Sequence, residues 1–459
     1  MESATKQAPA KNKSSAKAYA PGPKSKAPGD QLIAISRDPL EFLVKVARDY
    51  PDVAHFKLGP QHTFLLSHPD YIQNVLVAHD WNFVKGRGLE RAKKVLGKGL
   101  LTSEGNFHRR QRRLSQPAFH RQRIAGYAQT MAEYARRRAE KWEEGETRDI
   151  AQEMMSLTLA IVAKTLFDAD VEVEAKEIGQ ALGEVLEIFS TFTSPLTEVL
   201  DKLPLPRNRR AQQAKVRLDE TIYRIIEERR GVSEDRGDLL SMLMLAQDTE
   251  NDGGGMSDEQ LRDEVMTLFL AGHETTANAL TWTWYLLSQH PEVEAKMHAE
   301  IDSALQGRLP AMDDAGRLTY TEMVLTEAMR LYPPVWVMGR RAVSSYKVGK
   351  YYVPAGAIIL LSQYVMHHDE RYYPEPDRFD PDRWTPGARA ALPKYAYFPF
   401  GGGPRLCIGE QFAWMEGILL IATLAQKWKM RLVPGHPVKL QPLITLRPKH
   451  GMRMTLERR

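Results

Sequence analysis

The chain has 459 residues, 43% of them hydrophobic, with a single cysteine and a formal net charge of +5. One thiol cannot close an internal disulfide or supply a structural zinc site that needs several soft ligands. Apolar runs such as residues 417–425 fall far short of the roughly 20 residues of a membrane span, and no apolar signal-peptide core stands near the N-terminus, so a cytoplasmic chain without a transmembrane anchor is expected.

Residues 1–30 carry six lysines against Glu2 and Asp30, among many Ala, Pro and Ser. Such a composition buries too little apolar surface to offset its ordering entropy, which predicts a disordered basic leader over 1–30. Length alone favours two or more domains. The candidate site residues, however, run from His108 to Cys407, so one domain over 31–459 is expected, and a monomer is expected separately.

Residues 31–50 read as helical, and 53–58 and 62–67 as strands joined by the hairpin signal Gly59-Pro60-Gln61. From about Asp70 to Leu331 the pattern is mostly helical, broken at 86–88, 97–105, Pro195 and 204–208, with a polar glycine-rich loop at 248–255. After Pro333 short strands follow at 351–353, 357–361, 430–433, 444–447 and 452–456. The fold class is mainly α with a small β portion (α+β).

Within the helical stretch, His108 and Arg112 lie one turn apart in His108-Arg109-Arg110-Gln-Arg112-Arg113. A solvated face accounts for Arg109, Arg110 and Arg113. No aromatic residue is interleaved with the run, which argues against nucleic acid. Residues 261–290 are apolar on all sides, the mark of a helix through the centre of the protein, roughly 45 Å long. Its middle holds Ala271-Gly272-His273-Glu274-Thr275-Thr276. Burying an unpartnered acid costs a few kcal/mol or more, so a purely structural helix avoids one here. Thr275 can bond back to the Ala271 carbonyl and open a groove. The zinc-protease reading of His273-Glu274 fails because Ala277 stands where the second histidine belongs.

Thr319-x-x-Glu322 reads as a capping box opening a helix that ends before Pro333. In it Glu327 and Arg330 are i, i+3; an exposed pair of this kind contributes little. Last comes Phe400-Gly-Gly-Gly-Pro-Arg-Leu-Cys407-Ile-Gly-Glu410, running into an apolar helix. Most free cysteines are small buried hydrophobes. Here the glycines, Arg405 and the helix start, which favours a thiolate, argue for chemistry.

The spacing Phe400-x-x-Gly403-x-Arg405-x-Cys407-x-Gly409 resembles the haem-binding loop of the cytochromes P450. The resemblance implies a P450-like fold in which haem b lies between the central helix and the cysteine helix, with Cys407 as axial iron ligand. Ala271-Gly272-x-Glu274-Thr275 resembles the family's oxygen-activation motif, in which acid and alcohol organise the water that supplies protons for dioxygen reduction. Thr276 stays open as a second alcohol. Glu327 and Arg330 resemble the family's E-x-x-R pair, completed by Arg383 or, as runner-up, Arg378.

Four further basic residues are implied as propionate ligands: His108, Arg112, Arg405 and Arg340, with Arg341 the alternative to the last. Electrons from NAD(P)H are expected through a ferredoxin or flavodoxin-type donor docking by charge near Arg109, Arg110 and Arg113. Phe269, Trp336, Val337 and Ile444, with Phe189 and Phe192, map to the substrate pocket. A lipophilic fatty acid, terpenoid or steroid fits them. The rival activities are a peroxide-driven peroxygenase and a non-catalytic haem sensor or carrier. The acid–alcohol pair favours reductase-driven turnover over the former.

Overall fold

The 32-residue helix Asp258–Gln289, here the central helix, is the axis of the molecule. Ser257 caps it through a reciprocal box with Gln260: the Ser257 hydroxyl takes the Gln260 N–H at 3.3 Å, and Gln260 takes the Ser257 N–H at 3.0 Å. Its apolar residues cover every face, so it can only be stable when surrounded. The helices Ile150–Phe167, Pro206–Arg230, Thr319–Leu331 and Glu410–Ala425 pack around it, and Trp282 and Trp284 are fully buried at its C-terminal end. Ile150–Phe167 is long and apolar enough to cross a membrane by length and composition, yet 67% of it is buried inside the protein. This computed structural model describes residues 18–169, 175–189, 205–230, 236–246 and 254–459. Phe192 and the breaks expected at Pro195 and Pro204 lie outside them, and nothing is described for the Phe189 side chain.

Twelve strands are described: β1 (Asp52–Leu58), β2 (Gln61–Ser67), β3 (Phe83–Lys85), β4 (Thr147–Asp149), β5 (Met338–Ala342), β6 (Tyr346–Val348), β7 (Tyr351–Val353), β8 (Ile358–Leu361), β9 (Trp428–Leu432), β10 (Leu440–Pro442), β11 (Leu446–Pro448) and β12 (Arg453–Arg458). The main sheet runs β1-β2-β8-β5-β3, parallel only between β2 and β8. Smaller sheets pair β4-β12-β9, β6-β7 and β10-β11. The β1–β2 hairpin and β7 stand where the sequence put them. Two strands that the site depends on did not read as strands. β3 is only three residues long, and β5, Met-Gly-Arg-Arg-Ala, is too charged and glycine-broken to signal one.

The leader boundary expected at residue 30 is too late. The Ala18 carbonyl accepts the Tyr352 N–H at 2.8 Å, the Pro21 carbonyl accepts the His55 N–H at 2.9 Å, Ala20 is buried, and Tyr19 stacks on His55 with ring centroids 4.8 Å apart. The segment needs no core of its own because it attaches to existing strand edges. The capping box expected at Thr319 does not form either. Glu300, from the helix Pro291–Leu305, accepts the Tyr320 and Thr321 N–H groups at 2.6 and 2.8 Å.

Candidate active site

The cysteine loop is held open by backbone geometry. Gly401 and Gly403 have φ of 76° and 66°, and a Cβ on Gly403 would stand 1.9 Å from the Leu76 carbonyl oxygen. The Cys407 N–H donates to the Phe400 carbonyl at 3.0 Å, and the Phe400 ring packs 5.7 Å from that of Trp414. Cys407 is accessible at its surface, while the protein packed around it desolvates the thiol. The expected preference for a thiolate is outweighed. Burial pushes the thiol up to about 11, against the pull of the Gly409 N–H and Arg112. Such a sulfur ionises when a metal cation binds it.

Around this loop the structure gathers cations. Arg112 donates to the Leu406 carbonyl at 2.7 Å. Arg405 donates to the Ser103 carbonyl at 2.8 Å and pairs with Glu104. Arg340 is buried, with its Nη1 on the Gly339 carbonyl at 3.1 Å, and burial with Arg405 nearby lowers it to about 10. The neighbouring Arg341 points the other way and pairs with Glu90 at 2.7 Å. His108 is buried and lowered to about 3 by burial and by Arg405, Lys85 and Arg112; its Nδ1 lies 3.3 Å from the Ser103 hydroxyl, and its Nε2 has no hydrogen-bond partner among the described residues.

Lys85 joins them. It faces Arg340 across the β3–β5 pair, reaches the Leu101 carbonyl, and is held well below its usual pKa by burial, then by Arg405 and Arg340. Its N–H donates to Glu104 at 2.7 Å. Sequence reasoning missed Lys85 and Glu104. Neither carries a local signal in the sequence.

The loop carrying Ser103 and Glu104 is fixed to the central helix by two buried acids, also missed. The Lys98 N–H donates to Asp263 at 2.7 Å and the Leu100 N–H to Glu264 at 2.9 Å. Further along that helix Ala271 is exposed and Gly272 and Thr275 are half-buried, in a stretch otherwise closed. Thr275 donates to the Ala271 carbonyl at 2.8 Å, as expected, and Thr276 reaches the Gly272 carbonyl at 3.4 Å. Glu274, 2% exposed, turns to β11, where Arg447 Nη2 and Nε meet its Oε1 at 2.6 and 2.7 Å.

The Glu327–Arg330 pair is wholly buried, with two hydrogen bonds of 2.8 Å. Arg383 Nε stands 3.4 Å from Glu327 as an ion pair, while the Trp384 indole and the Asp380 N–H donate to the same carboxylate at 2.8 and 3.1 Å. The runner-up Arg378 pairs with Glu375 at the surface. The Arg330 guanidinium also ties the carbonyls of His367, Pro376 and Arg378 at 2.8, 2.7 and 3.1 Å, so the triad knits the meander that leads into the cysteine loop.

A family model described as Cytochrome P450 matches residues 30–453. The chain belongs to the cytochromes P450. Cyclooctatin synthase of Streptomyces melanosporofaciens is 42% identical over 416 residues, covering 90% of each chain. Pentalenene oxygenase of Streptomyces avermitilis is 35% identical, covering 92% of this chain and 94% of its own. The crystal structure of the cytochrome P450DA heme domain superposes with a TM-score of 0.85 at 27% identity, covering 96% of this chain and 98% of the other. As a member of this family the protein is an oxidoreductase that uses haem and dioxygen on a small molecule, with a redox partner.

This P450 has the donor set its cofactor needs. Lys85, Arg112, Arg340 and Arg405 converge beside a neutral His108, with the Glu104 carboxylate among them, an excess of cationic groups that an anion such as the two haem propionates would balance. The unpartnered His108 Nε2 is a further donor for one of them. Cys407 would hold the iron, with Phe400 flanking the loop, and the accessible Ala271–Gly272 edge would face the macrocycle.

Two of the four expected pocket residues are core instead. Phe269 is 3% exposed and stacks on Phe167 at 4.6 Å, and Trp336 is 2% exposed with its indole on the Leu443 carbonyl at 2.8 Å. Val337 and Ile444 are half-buried. Arg110 also leaves the expected docking run: it donates to the carbonyls of Gly254 and Gly255 at 2.9 and 3.1 Å.

Proposed function

We propose that this cytochrome P450 is a cytoplasmic monooxygenase that hydroxylates a terpenoid, taking electrons from NAD(P)H through a separate ferredoxin or flavodoxin-type protein. The relatives' names support the substrate class: cyclooctatin synthase, cyclooctat-9-en-7-ol 5-monooxygenase and pentalenene oxygenase, at 42, 39 and 35% identity. The observation that carries the chemistry is the accessible Ala271–Thr275 edge in the otherwise closed middle of the central helix, with a carboxylate and a hydroxyl beside it.

Haem, when bound, supplies the iron centre at which one atom of dioxygen is inserted into a C–H bond. The chain's residues have the complementary tasks. Cys407 donates its sulfur; His108, Arg112, Arg340, Arg405 and Lys85 fix the cofactor's carboxylates. Thr275 holds a water in the groove opened by its bond to Ala271, and Glu274 exchanges protons with it. Electron entry is assigned to the basic depression of about 470 Å³ formed by His108, Arg109, Arg112, Arg113, His120 and Pro404, next to the cysteine loop.

The test is a binding screen of cyclic terpene hydrocarbons and alcohols, scored by the low-to-high-spin shift, followed by turnover with NAD(P)H and a ferredoxin system. A hydroxylated terpenoid is the expected product. Turnover driven by peroxide alone and untouched by Thr275→Ala would instead make the protein a peroxygenase.

A further inference from the structure

The acid on the central helix is not a free side chain, and its partners come from the far end of the sequence. Glu274 lies against the β10–β11 hairpin, 173 residues away. Three groups converge on its Oε1: Arg447 Nη2 at 2.6 Å, Arg447 Nε at 2.7 Å and the Thr445 hydroxyl. Thr445 is itself held, accepting the Asn278 side-chain N–H at 3.1 Å from one turn further along the central helix. No hydrogen bond from the described residues reaches Oε2.

A carboxylate anchored through one oxygen keeps a fixed rotamer and leaves the other oxygen for a mobile donor. Arg447 also gives the buried carboxylate its counter-charge, without which desolvation would turn it away or neutralise it. At 22% side-chain exposure, Arg447 is the group through which Glu274, at 3%, meets the surface.

The hairpin is rigidly seated. The Leu446 N–H donates to the Pro334 carbonyl at 2.9 Å, and the Trp282 indole donates to the Leu446 carbonyl at 3.0 Å. Its tip is Leu443–Ile444, clamped by the Trp336 indole.

We propose that Arg447, with Thr445, is the positioning residue for Glu274: the C-terminal hairpin sets the orientation of the proton-handling carboxylate and leaves Oε2 as its working oxygen. The inference rests on the reading of Glu274 as the proton-handling acid. It makes the hairpin part of the catalytic apparatus, and it couples proton supply to the position of a tip that carries Ile444.

The experiment compares Glu274→Gln, Arg447→Gln, Arg447→Lys, Thr445→Val and the Glu274→Gln/Arg447→Gln double variant in the haem-loaded protein. Product per NAD(P)H consumed, peroxide released, and the solvent deuterium effect are measured for each. Crystal structures of the parent and Arg447→Gln provide a readout independent of turnover.

Arg447→Gln is expected to lower coupled product formation about tenfold, with peroxide release taking its place and substrate affinity within about twofold. Its structure should show the Glu274 carboxylate turned away from the hairpin. Arg447→Lys should recover part of the loss, and Arg447→Gln should add nothing in the Glu274→Gln background, because it acts only through that acid. If Arg447→Gln does not fold, Thr445→Val carries the same test with a smaller uncoupling.

Coupled turnover unchanged in Arg447→Gln and Thr445→Val while Glu274→Gln is crippled overturns the hairpin's role alone. A silent Glu274→Gln overturns the proton-handling reading and this inference with it. Additive losses in the double variant also overturn it.

Discussion

Lys85 and Arg340 are direct cross-strand partners on β3 and β5, both buried, and Arg340 lowers the affinity of Lys85 for its proton. Like charges placed opposite one another destabilise a sheet. The arrangement is therefore maintained for an anion, and the protein without haem carries the repulsion. Lys85→Met should raise the melting temperature of the haem-free protein by about 2–4 °C and speed haem loss to an excess of a scavenger protein. Differential scanning of the two apo-proteins, with haem transfer followed at the Soret band, checks both directions. Slower haem loss in the variant would remove Lys85 from the cofactor site.

Glu264 couples stability to pH. Burial, with Asp263 beside it, raises its carboxyl to about 7 from an ordinary 4.5, while the Leu100 N–H pulls the other way. Between these two values the folded protein holds a proton that the unfolded chain has released. Stability is accordingly full below about pH 4.5 and falls as pH rises to about 7, by on the order of 2–3 kcal/mol from this group. Glu264→Gln keeps an oxygen for the Leu100 N–H and removes the titration. Urea unfolding across pH 5–8 should give the variant the flatter profile and the higher stability at the alkaline end.

Gly403 should tolerate no side chain. Alanine there meets a left-handed φ and the Leu76 carbonyl at 1.9 Å, so backbone must move and the cysteine loop with it. Gly435 has a similar φ of 76° with nothing within 4 Å, and Gly435→Ala should cost only about 1 kcal/mol. Thermal unfolding and haem content of the two variants form the comparison. Gly435→Ala should keep its haem, and Gly403→Ala should lose most of it.

The Glu327 carboxylate accepts from Arg330, Trp384 and the Asp380 backbone at zero exposure. Glu327→Gln leaves the Arg330 guanidinium buried without its counter-charge, a loss of about 3–5 kcal/mol. Trp384→Phe removes one indole donor and should cost about 1–2 kcal/mol. Denaturant titration of the haem-loaded proteins should rank them in that order. A Glu327→Gln variant as stable as the parent would mean that the triad does not brace the cysteine loop.

The sequence alone determined the motifs whose members sit within one turn or one loop. The cysteine loop, the Ala271–Thr275 step and the Glu327–Arg330 pair are legible because helix and loop geometry makes near neighbours in sequence near neighbours in space. Even the Thr275 bond to Ala271 follows from the four-residue spacing. Tertiary structure decided the choices between adjacent candidates and every partner drawn from afar. Strand alternation sends Arg340 inward and Arg341 to Glu90, but only the assembled sheet says which face is inward. Phe269 and Trp336 are apolar enough for a pocket, and only packing shows that they fill the core. Lys85, Glu104 and Arg447 carry no local signal, because a buried charge is specified by the opposite charge or the cofactor it meets, and chain folding alone brings those together.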